Sequence, residues 1–373
     1  MKAVRFHGKG DLRYEDIPVP SVKKGQVKVT KLSHPRPPKD SPPRKQVQPA
    51  WVGICGTDLH EFLGGPNLCP TTPHPITQET VPVTFGHEFS GIVTEVGEGV
   101  TTYKTGDRVV VQPIIYDGTC GACKEGLVNC CSSNGFIGLS GWGGGLAEHI
   151  VVPESVLHHL PDNVSLEIGA LIEPLAVGWH AVNISPWRPG NSVLILGGGP
   201  IGLSVIQALR ARGAENIIVS EVSHRRREYA KQFGATHVLD PTSDDVVARC
   251  RQLCDGVGPH LAFDAAGVQV GLDVAVKAVR ARGTIVNIAV WEKPFTLNPT
   301  DMVFRERSWM GIATYQDGDF QAVMEAISGG RMDPKGMITT RIELDEVEEK
   351  GFQALIKDKD NQVKVLVKVG GGE

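Results

Sequence analysis

The stretch that decides the fold of this chain is "NSVLILGGGPIGLSVIQALRARGAENIIVSEV", residues 191–222. It reads as a buried strand, a glycine turn, a helix and a second buried strand. Gly197, Gly199 and Gly202 form the pattern G-x-G-x-x-G between the first strand and the helix. The first glycine permits the turn, the second lets a pyrophosphate approach the backbone, and the third lets helix and strand pack closely. The stretch therefore predicts a dinucleotide site whose phosphates face the N-terminus of the helix.

An acidic residue is expected about 20 positions after the glycines, where it holds the adenosine ribose. Glu221 ends the second strand, 19 positions after Gly202. Its charge repels a 2′-phosphate and so favours NAD, although the three arginines at 225–227 argue for NADP. A glycine turn that binds nothing is the alternative reading. The predicted cofactor-binding residues are Gly197, Gly199, Pro200, Ile201, Gly202, Glu221 and Arg226.

The two halves of the sequence differ in their pattern. Up to residue 175, short Val- and Ile-rich stretches such as "KAVRF" and "FSGIVTEVG" are separated by Gly, Pro and Asp, which is typical of a barrel or sandwich. From 176 to 316, apolar strands alternate with helical stretches, which predicts a doubly wound parallel sheet. We expect residues 317–373 to return to the first domain, because they end on the strand-like "QVKVLVKV".

Composition narrows the class of protein. The chain has 373 residues, 41% apolar and 21% charged, with a net charge of 38 − 42 = −4. These values are ordinary for a soluble globular protein. They show no excess of basic residues that would indicate binding to nucleic acid or to an anionic membrane. We see neither a bilayer-spanning apolar run nor a secretory signal, and eight cysteines in so long a chain favour metal ligands or buried thiols over disulfides. The expected compartment is the cytoplasm.

One segment departs from its surroundings. "KLSHPRPPKDSPPRKQVQP", residues 31–49, holds six prolines and five basic residues. We expect it to be a polar, extended insert that forms neither a buried strand nor a core helix.

Three separated segments carry candidate metal ligands. Cys55 lies in "WVGICGTDLHEF", His87 and Glu88 lie in "FGHEFSG", and Glu173 lies among apolar residues in "ALIEPLAVGWHAV". Cys, His and Glu suit an open zinc site with a fourth position for water or substrate. Each residue taken alone also fits a structural role.

In these motifs the chain resembles the zinc-dependent medium-chain alcohol and polyol dehydrogenases. The carrying stretches are "GICGTDLHEF", "GHEFSGIVTEVGEGV", "GDRVVV", "EPLAVGWHA" and "VLILGGGPIG", in the family's order across nearly the whole chain. Within the family, "LIEPLAVGWHAV" and "NGFIGLSGWGGGLAEHIVV" look most like the 2,3-butanediol dehydrogenases, and sorbitol dehydrogenases come next. The resemblance implies a GroES-like β domain completed by the C-terminal segment, a Rossmann domain between, and an active site in the cleft between them.

The resemblance also implies roles for single residues. Cys55, His87 and Glu173 would hold the catalytic zinc, with Glu88 as an alternative or exchanging ligand. Asp58 would accept from the far nitrogen of His87 and fix its tautomer; its alternative role is to cap a turn. Thr57 would touch the alcohol oxygen, and His60 would end a proton relay that runs through the cofactor ribose.

A second cluster lies in "YDGTCGACKEGLVNCCSS". The family's structural zinc lobe has four cysteines, and here Cys120, Cys123 and Cys131 fit three of the places while Asp117 takes the first. Three thiolates and one carboxylate still suit zinc. Cys130 is the alternative fourth ligand.

These features predict an NAD- and zinc-dependent enzyme that oxidises a secondary alcohol, a vicinal diol such as 2,3-butanediol or the related acetoin. A polyol dehydrogenase acting on sorbitol or xylitol is the alternative within the class. A non-catalytic nucleotide-binding protein disabled by the 31–49 insert is the alternative outside it. We expect a small-molecule partner and a homo-oligomer, a dimer or a tetramer.

Overall fold

The computed structural model describes residues 1–21, 44–97 and 101–370. Its strands, in chain order, are β1 (Lys2–Gly8), β2 (Asp11–Asp16), β3 (Arg44–Gly53), β4 (Val83–Thr84), β5 (Glu88–Val96), β6 (Arg108–Val111), β7 (Ile114–Ile115), β8 (Gly135–Phe136), β9 (Ile150–Pro153), β10 (Leu157–His159), β11 (Val193–Leu196), β12 (Ile217–Ser220), β13 (His237–Leu239), β14 (Leu261–Asp264), β15 (Thr284–Asn287), β16 (Ser308–Gly311), β17 (Ile338–Glu343) and β18 (Lys364–Lys368).

The α-helices, in chain order, are α1 (Gly56–Gly64), α2 (Gly121–Lys124), α3 (Leu166–Gly169), α4 (Ile172–Ile184), α5 (Pro200–Ala211), α6 (His224–Gln232), α7 (Val246–Leu253), α8 (Gln269–Ala278), α9 (Pro299–Val303), α10 (Asp317–Ser328) and α11 (Gln353–Lys357). A π-helical stretch, Val347–Phe352, leads into α11. Within the described ranges, none of these helices has the length and apolar character needed to cross a membrane.

The chain divides into two compact units. The first comprises Met1–Glu173 and Ile338–Glu373, and the second comprises Pro174–Met337. The C-terminal part of the first unit therefore begins 21 residues later than the expected position 317. The reason is that α10 packs within the second unit, where Asp319 accepts a 2.7 Å hydrogen bond from His180 and Phe320 packs edge-on against Tyr315.

The first unit is built mainly of antiparallel strands. Its largest sheet has the order β10-β6-β5-β3-β18-β17, with β9 also paired to β3, and a second sheet has the order β2-β1-β4. Phe352 of the C-terminal segment is fully buried and packs against Phe62 and Phe85 of the N-terminal segment. The two segments therefore share one hydrophobic core.

The predicted character of residues 31–49 is wrong for its last six positions. Residues 44–49 belong to β3, which pairs with β5 and β9, and Val47 is fully buried. Five of the six prolines lie at 35–43, outside the described residues, so only Pro49 enters the strand. Pro49 lies where the register with β5 shifts, a position that tolerates a residue without an N–H group.

The second unit has the predicted doubly wound sheet. Its six strands are parallel and have the order β13-β12-β11-β14-β15-β16. The chain thus starts at a central strand, β11, builds to one side and then to the other, which is the dinucleotide-binding order. The start of α5 follows directly from the carboxyl end of β11, where such sheets bind ligands.

Candidate active site

The cysteine of the candidate metal site lies at the start of α1. Cys55 is the N-cap residue of this helix, and its backbone N–H donates to Asp58 Oδ2 at 2.9 Å. This bond satisfies one of the donors that a helix start leaves unpaired. The capping role considered for Asp58 is therefore present.

Asp58 also faces the histidine. Its Oδ1 lies 3.3 Å from His87 Nδ1, and both side chains are buried. Burial alone would lower the pKa of His87, but the negative charges of Asp58 and then Cys55 raise it well above its ordinary value. With Nδ1 turned to the carboxylate, Nε2 is the nitrogen left for a metal.

The structure places one of the two predicted glutamates, Glu88, beside Cys55 and His87. The ligand atoms of Cys55, His87 and Glu88 all lie within 4.8 Å of one another. Glu173 lies outside this group, and its role as a ligand stays a prediction. Glu173 lies in the first turn of α4 and is buried, and its negative charge contributes to the raised pKa of Lys364.

Glu88 is held by a lysine that sequence reasoning missed. Lys364 Nζ donates to both carboxylate oxygens, at 2.7 and 2.6 Å, and both side chains are at most 2% exposed. Burial would lower the pKa of Lys364, but Glu88 and then Cys55 raise it above its ordinary value. The available signal was a lysine inside the valine-rich "QVKVLVKV", because a buried cation requires an anionic partner.

The remaining residues of α1 lie beside this cluster. Thr57 is half-buried, with its Oγ1 3.6 Å from Cys55 Sγ, and His60 is exposed one turn further along. Glu61 is 1% exposed and accepts from the backbone N–H groups of Asn67, Leu68 and Cys69 at 2.8–3.3 Å. Sequence reasoning overlooked Glu61, which fixes the loop that follows the helix.

The second cysteine cluster also converges. The ligand atoms of Asp117, Cys120, Cys123 and Cys131 lie within 4.8 Å of one another, and this group does not include the exposed Cys130. Backbone N–H groups, first that of Thr119 and then that of Cys120, lower the pKa of Asp117 to about 2. An ionised carboxylate therefore stands in the place of the fourth thiolate.

In the second unit the three glycines have the predicted geometry. Gly197 has a φ of +95°, Gly199 is the N-cap of α5 and faces nearly open space, and a Cβ on Gly202 would lie 2.0 Å from the Gly197 oxygen. Pro200 and Ile201 form the first turn of α5. The loop is therefore open where a pyrophosphate would approach and tight where helix and strand meet.

Glu221 reaches this loop. It is buried, and its carboxylate accepts from Gly198 N at 2.6 Å and from Ser223 N at 2.7 Å. A Cβ built on Gly199 would lie 3.8 Å from Arg226 Nη1, so this guanidinium is also beside the loop. The predicted cofactor residues are thus neighbours.

We predict that the Glu88–Lys364 pair is strongly coupled. Replacing either partner alone, by Lys364→Met or Glu88→Gln, leaves one buried charge unpaired and should lower the free energy of unfolding by about 3–5 kcal/mol. The double variant carries neither charge, so it should lose much less than the sum of the two single losses. Urea denaturation of the unaltered chain, the two single variants and the double variant measures these free energies of unfolding. Lys368→Met, on the same strand but half-buried, is the control. Additive losses would show that the pair is not coupled.

Comparison with known proteins agrees with this architecture. Residues 43–162 match the model of the "Alcohol dehydrogenase GroES-like domain", and residues 200–329 match that of the "Zinc-binding dehydrogenase". The chain is 44% identical over 370 residues to the (R,R)-butanediol dehydrogenase of Bacillus subtilis, with 99% of each chain covered. It is 30% identical to "Probable D-xylulose reductase A" of Aspergillus clavatus, with 94% of this chain and 95% of that one covered.

A solved structure has the same fold. The crystal structure of 2R,3R-butanediol dehydrogenase from Bacillus subtilis superimposes with a TM-score of 0.88 at 42% identity, covering 98% of this chain and 99% of that one. The predicted combination of a GroES-like domain and a Rossmann domain is confirmed. The chain belongs to the family of zinc-dependent alcohol dehydrogenases.

Proposed function

We propose that this chain is an NAD-dependent zinc dehydrogenase that interconverts a vicinal secondary diol, 2,3-butanediol, and its keto-alcohol acetoin. The observation that carries the proposal is the convergence of Cys55, His87 and Glu88 within 4.8 Å. The substrate assignment is supported by the higher identity to the butanediol dehydrogenase, 44%, than to the D-xylulose reductase, 30%. A polyol dehydrogenase is the second candidate.

The donor atoms fit a catalytic zinc. One sulfur, one imidazole nitrogen and one carboxylate are ligands that zinc prefers, and Asp58 behind His87 is the kind of support that such ligands use. Because Lys364 engages both oxygens of Glu88, we propose Cys55 and His87 as the constant ligands. Glu173 and Glu88 are then the two carboxylates that compete for the third position.

The chain's own groups handle the proton. Thr57 stands next to the sulfur of Cys55, where its hydroxyl accepts a hydrogen bond from the substrate alcohol. His60 lies three residues further on the same helix and is exposed, so its imidazole passes the proton to water. Zinc held by Cys55, His87 and a carboxylate would lower the pKa of the alcohol, and NAD would supply the hydride acceptor.

A homo-oligomer, a dimer or a tetramer, remains part of the proposal. In the described part of the second unit, β16 pairs only with β15, so its other edge is open to a second copy. Phe304 nearby is 81% exposed and Trp309 on β16 is 39% exposed. Sedimentation velocity of the purified chain distinguishes these oligomers from a monomer.

The compartment also remains a proposal. The eight thiols are all free and seven of them are at least half-buried, which fits a reducing cytoplasm.

The function is tested by turnover on a panel of alcohols. With NAD as oxidant, we expect kcat/KM for 2,3-butanediol to exceed the values for sorbitol and xylitol by about tenfold or more, measured as NADH absorbance. Higher values for the polyols would support the second candidate. Binding of NAD without turnover on any alcohol would support the non-catalytic alternative.

Metal content tests the two clusters separately. We expect about two zinc ions per chain, falling to about one in Cys55→Ser and to about one in Asp117→Ala. Cys55→Ser should abolish turnover, whereas Asp117→Ala should retain it, and Cys130→Ser is the matched thiol control for both. A ratio near one in the unaltered, active enzyme would show an empty cysteine lobe. Full activity without metal would overturn the mechanism.

Glu221 tests the cofactor assignment. Glu221→Ser removes the carboxylate proposed to accept from the ribose hydroxyls, so the dissociation constant for NAD should rise roughly ten- to hundredfold. Calorimetric titration with NAD measures this change. Glu228→Gln, an exposed acid on α6, is the control and should leave the affinity unchanged. An unaltered affinity in Glu221→Ser would contradict the assignment.

A further inference from the structure

The π-helical turn Val347–Phe352 places two adjacent buried residues, Gly351 and Phe352, in the first unit. A π turn closes an i→i+5 hydrogen bond, so it holds one residue more than an α turn. The residues at 348–350 are exposed, and the turn then brings 351 and 352 together into the core. Turns of this kind are frequent at functional sites, so the contacts of these two residues are informative.

Gly351 lies against the residue that precedes the cysteine ligand. A Cβ built on Gly351 would lie 2.5 Å from Ile54 Cδ1. Ile54 is 3% exposed, its N–H donates to Val365 O at 3.1 Å, and its carbonyl accepts from Lys364 Nζ at 3.4 Å. Because Ile54 is both buried and held by its backbone, a methyl group added at 351 would press on the peptide that leads into Cys55.

Phe352 contacts the helix and the segment on the other sides of the cluster. Its ring is fully buried, packs edge-on against Phe62 with the ring centroids 5.3 Å apart, and stacks with Phe85 at 6.2 Å. Phe62 belongs to α1, the helix that Cys55 caps, and Phe85 precedes His87 by two residues. The two residues of the turn therefore contact both segments that carry proposed zinc ligands.

The sheet itself ends before it reaches these ligands. The ladder between β3 and β5 ends with Gly53 opposite Glu88, so Cys55 and His87 both lie beyond its last pair. Ladder hydrogen bonds bring the two segments together but leave the exact separation of the ligand atoms to the packing around them. Metal affinity depends on such supporting contacts, because they orient the ligands.

We propose that Gly351 and Phe352 are positioning residues for zinc, an inference that rests on the proposed function because it takes Cys55 and His87 as ligands. Gly351 sets the position of Cys55 through Ile54. Phe352 sets the positions of α1 and of the His87 segment through its two aromatic contacts.

Chelator competition measures the affinity for the zinc of this cluster, which is the zinc that Cys55→Ser loses. Gly351→Ala should raise its dissociation constant about tenfold, because altering the groups that support metal ligands typically costs 10–100-fold in affinity. The zinc of the cysteine lobe should keep its affinity. Glu348→Ala, at an exposed position of the same turn, is the control and should change neither constant.

A compensating substitution separates positioning from packing. Ile54→Val removes the Cδ1 methyl that the new Cβ would meet, so the double variant Gly351→Ala, Ile54→Val should recover most of the lost affinity. Phe352→Leu removes both aromatic contacts and should weaken the same zinc. Urea denaturation of the metal-free chains measures stability separately, since a residue that only packs would shift the urea midpoint and leave the zinc constant of the folded chain unchanged.

Cobalt(II) in place of zinc reports the ligand geometry. The visible absorption bands of the cluster should shift in Gly351→Ala and return in the double variant. An unchanged zinc constant and cobalt spectrum in Gly351→Ala, or a loss that Ile54→Val does not restore, would overturn the positioning role and leave the proposed function intact. Absence of zinc from the Cys55 cluster of the unaltered chain would overturn both.

Discussion

The pairing of Gly53 with Glu88 is the constraint on which the metal cluster depends. These residues are directly opposite each other in the antiparallel ladder of β3 and β5. Antiparallel pairing places the end of β3 beside the start of β5, so Cys55, two residues beyond Gly53, meets His87, one residue before Glu88. A Cβ at position 53 would lie 2.1 Å from Glu88 Oε2, so a larger residue there would displace the carboxylate from its present position.

The same pairing explains why the C-terminal segment belongs to the first unit. The buried carboxylate of Glu88 needs a cation, and β18 supplies it. This strand pairs with the end of β3, with Leu366 opposite Gly53, and carries Lys364. Ile54 adds to this connection by donating to Val365 O at 3.1 Å. Three strands distant in sequence are thus joined at one point, where Lys364 balances the charge of Glu88 and Asp58 Oδ1 lies 3.3 Å from His87 Nδ1.

The sequence predicts those parts of this arrangement that depend on neighbouring residues. The glycine loop and Glu221 follow from a strand, turn and helix contiguous in the chain, and their geometry is as expected. The capping role considered for Asp58 is likewise local, since Asp58 accepts from the backbone N–H of Cys55 three residues earlier. Lys364 was missed because its partner is 276 residues away, and no local pattern reports a register between distant strands.

Two other differences have the same origin. The first six residues of β3 were assigned to a proline-rich insert by composition, although pairing with β5 and β9 decides their conformation. Residues 317–373 were assigned to the first domain because they end on a strand-like stretch, whereas α10 is held in the second unit by the contact between Asp319 and His180. In both cases a contact between residues distant in sequence decides the structure, and the local sequence pattern does not report it.

The cofactor preference follows from how the three arginines after Glu221 are engaged. Arg225 forms an ion pair with Glu228, and Arg227 forms one with Asp240 while donating to the Glu221 and Val222 carbonyls. Their charges are therefore partly compensated by these carboxylates. Arg226 alone lies beside the glycine loop, near the carboxylate of Glu221 at Gly198. A 2′-phosphate entering there would meet a buried negative charge, whereas ribose hydroxyls would find an acceptor, so the balance of charge at this loop favours NAD.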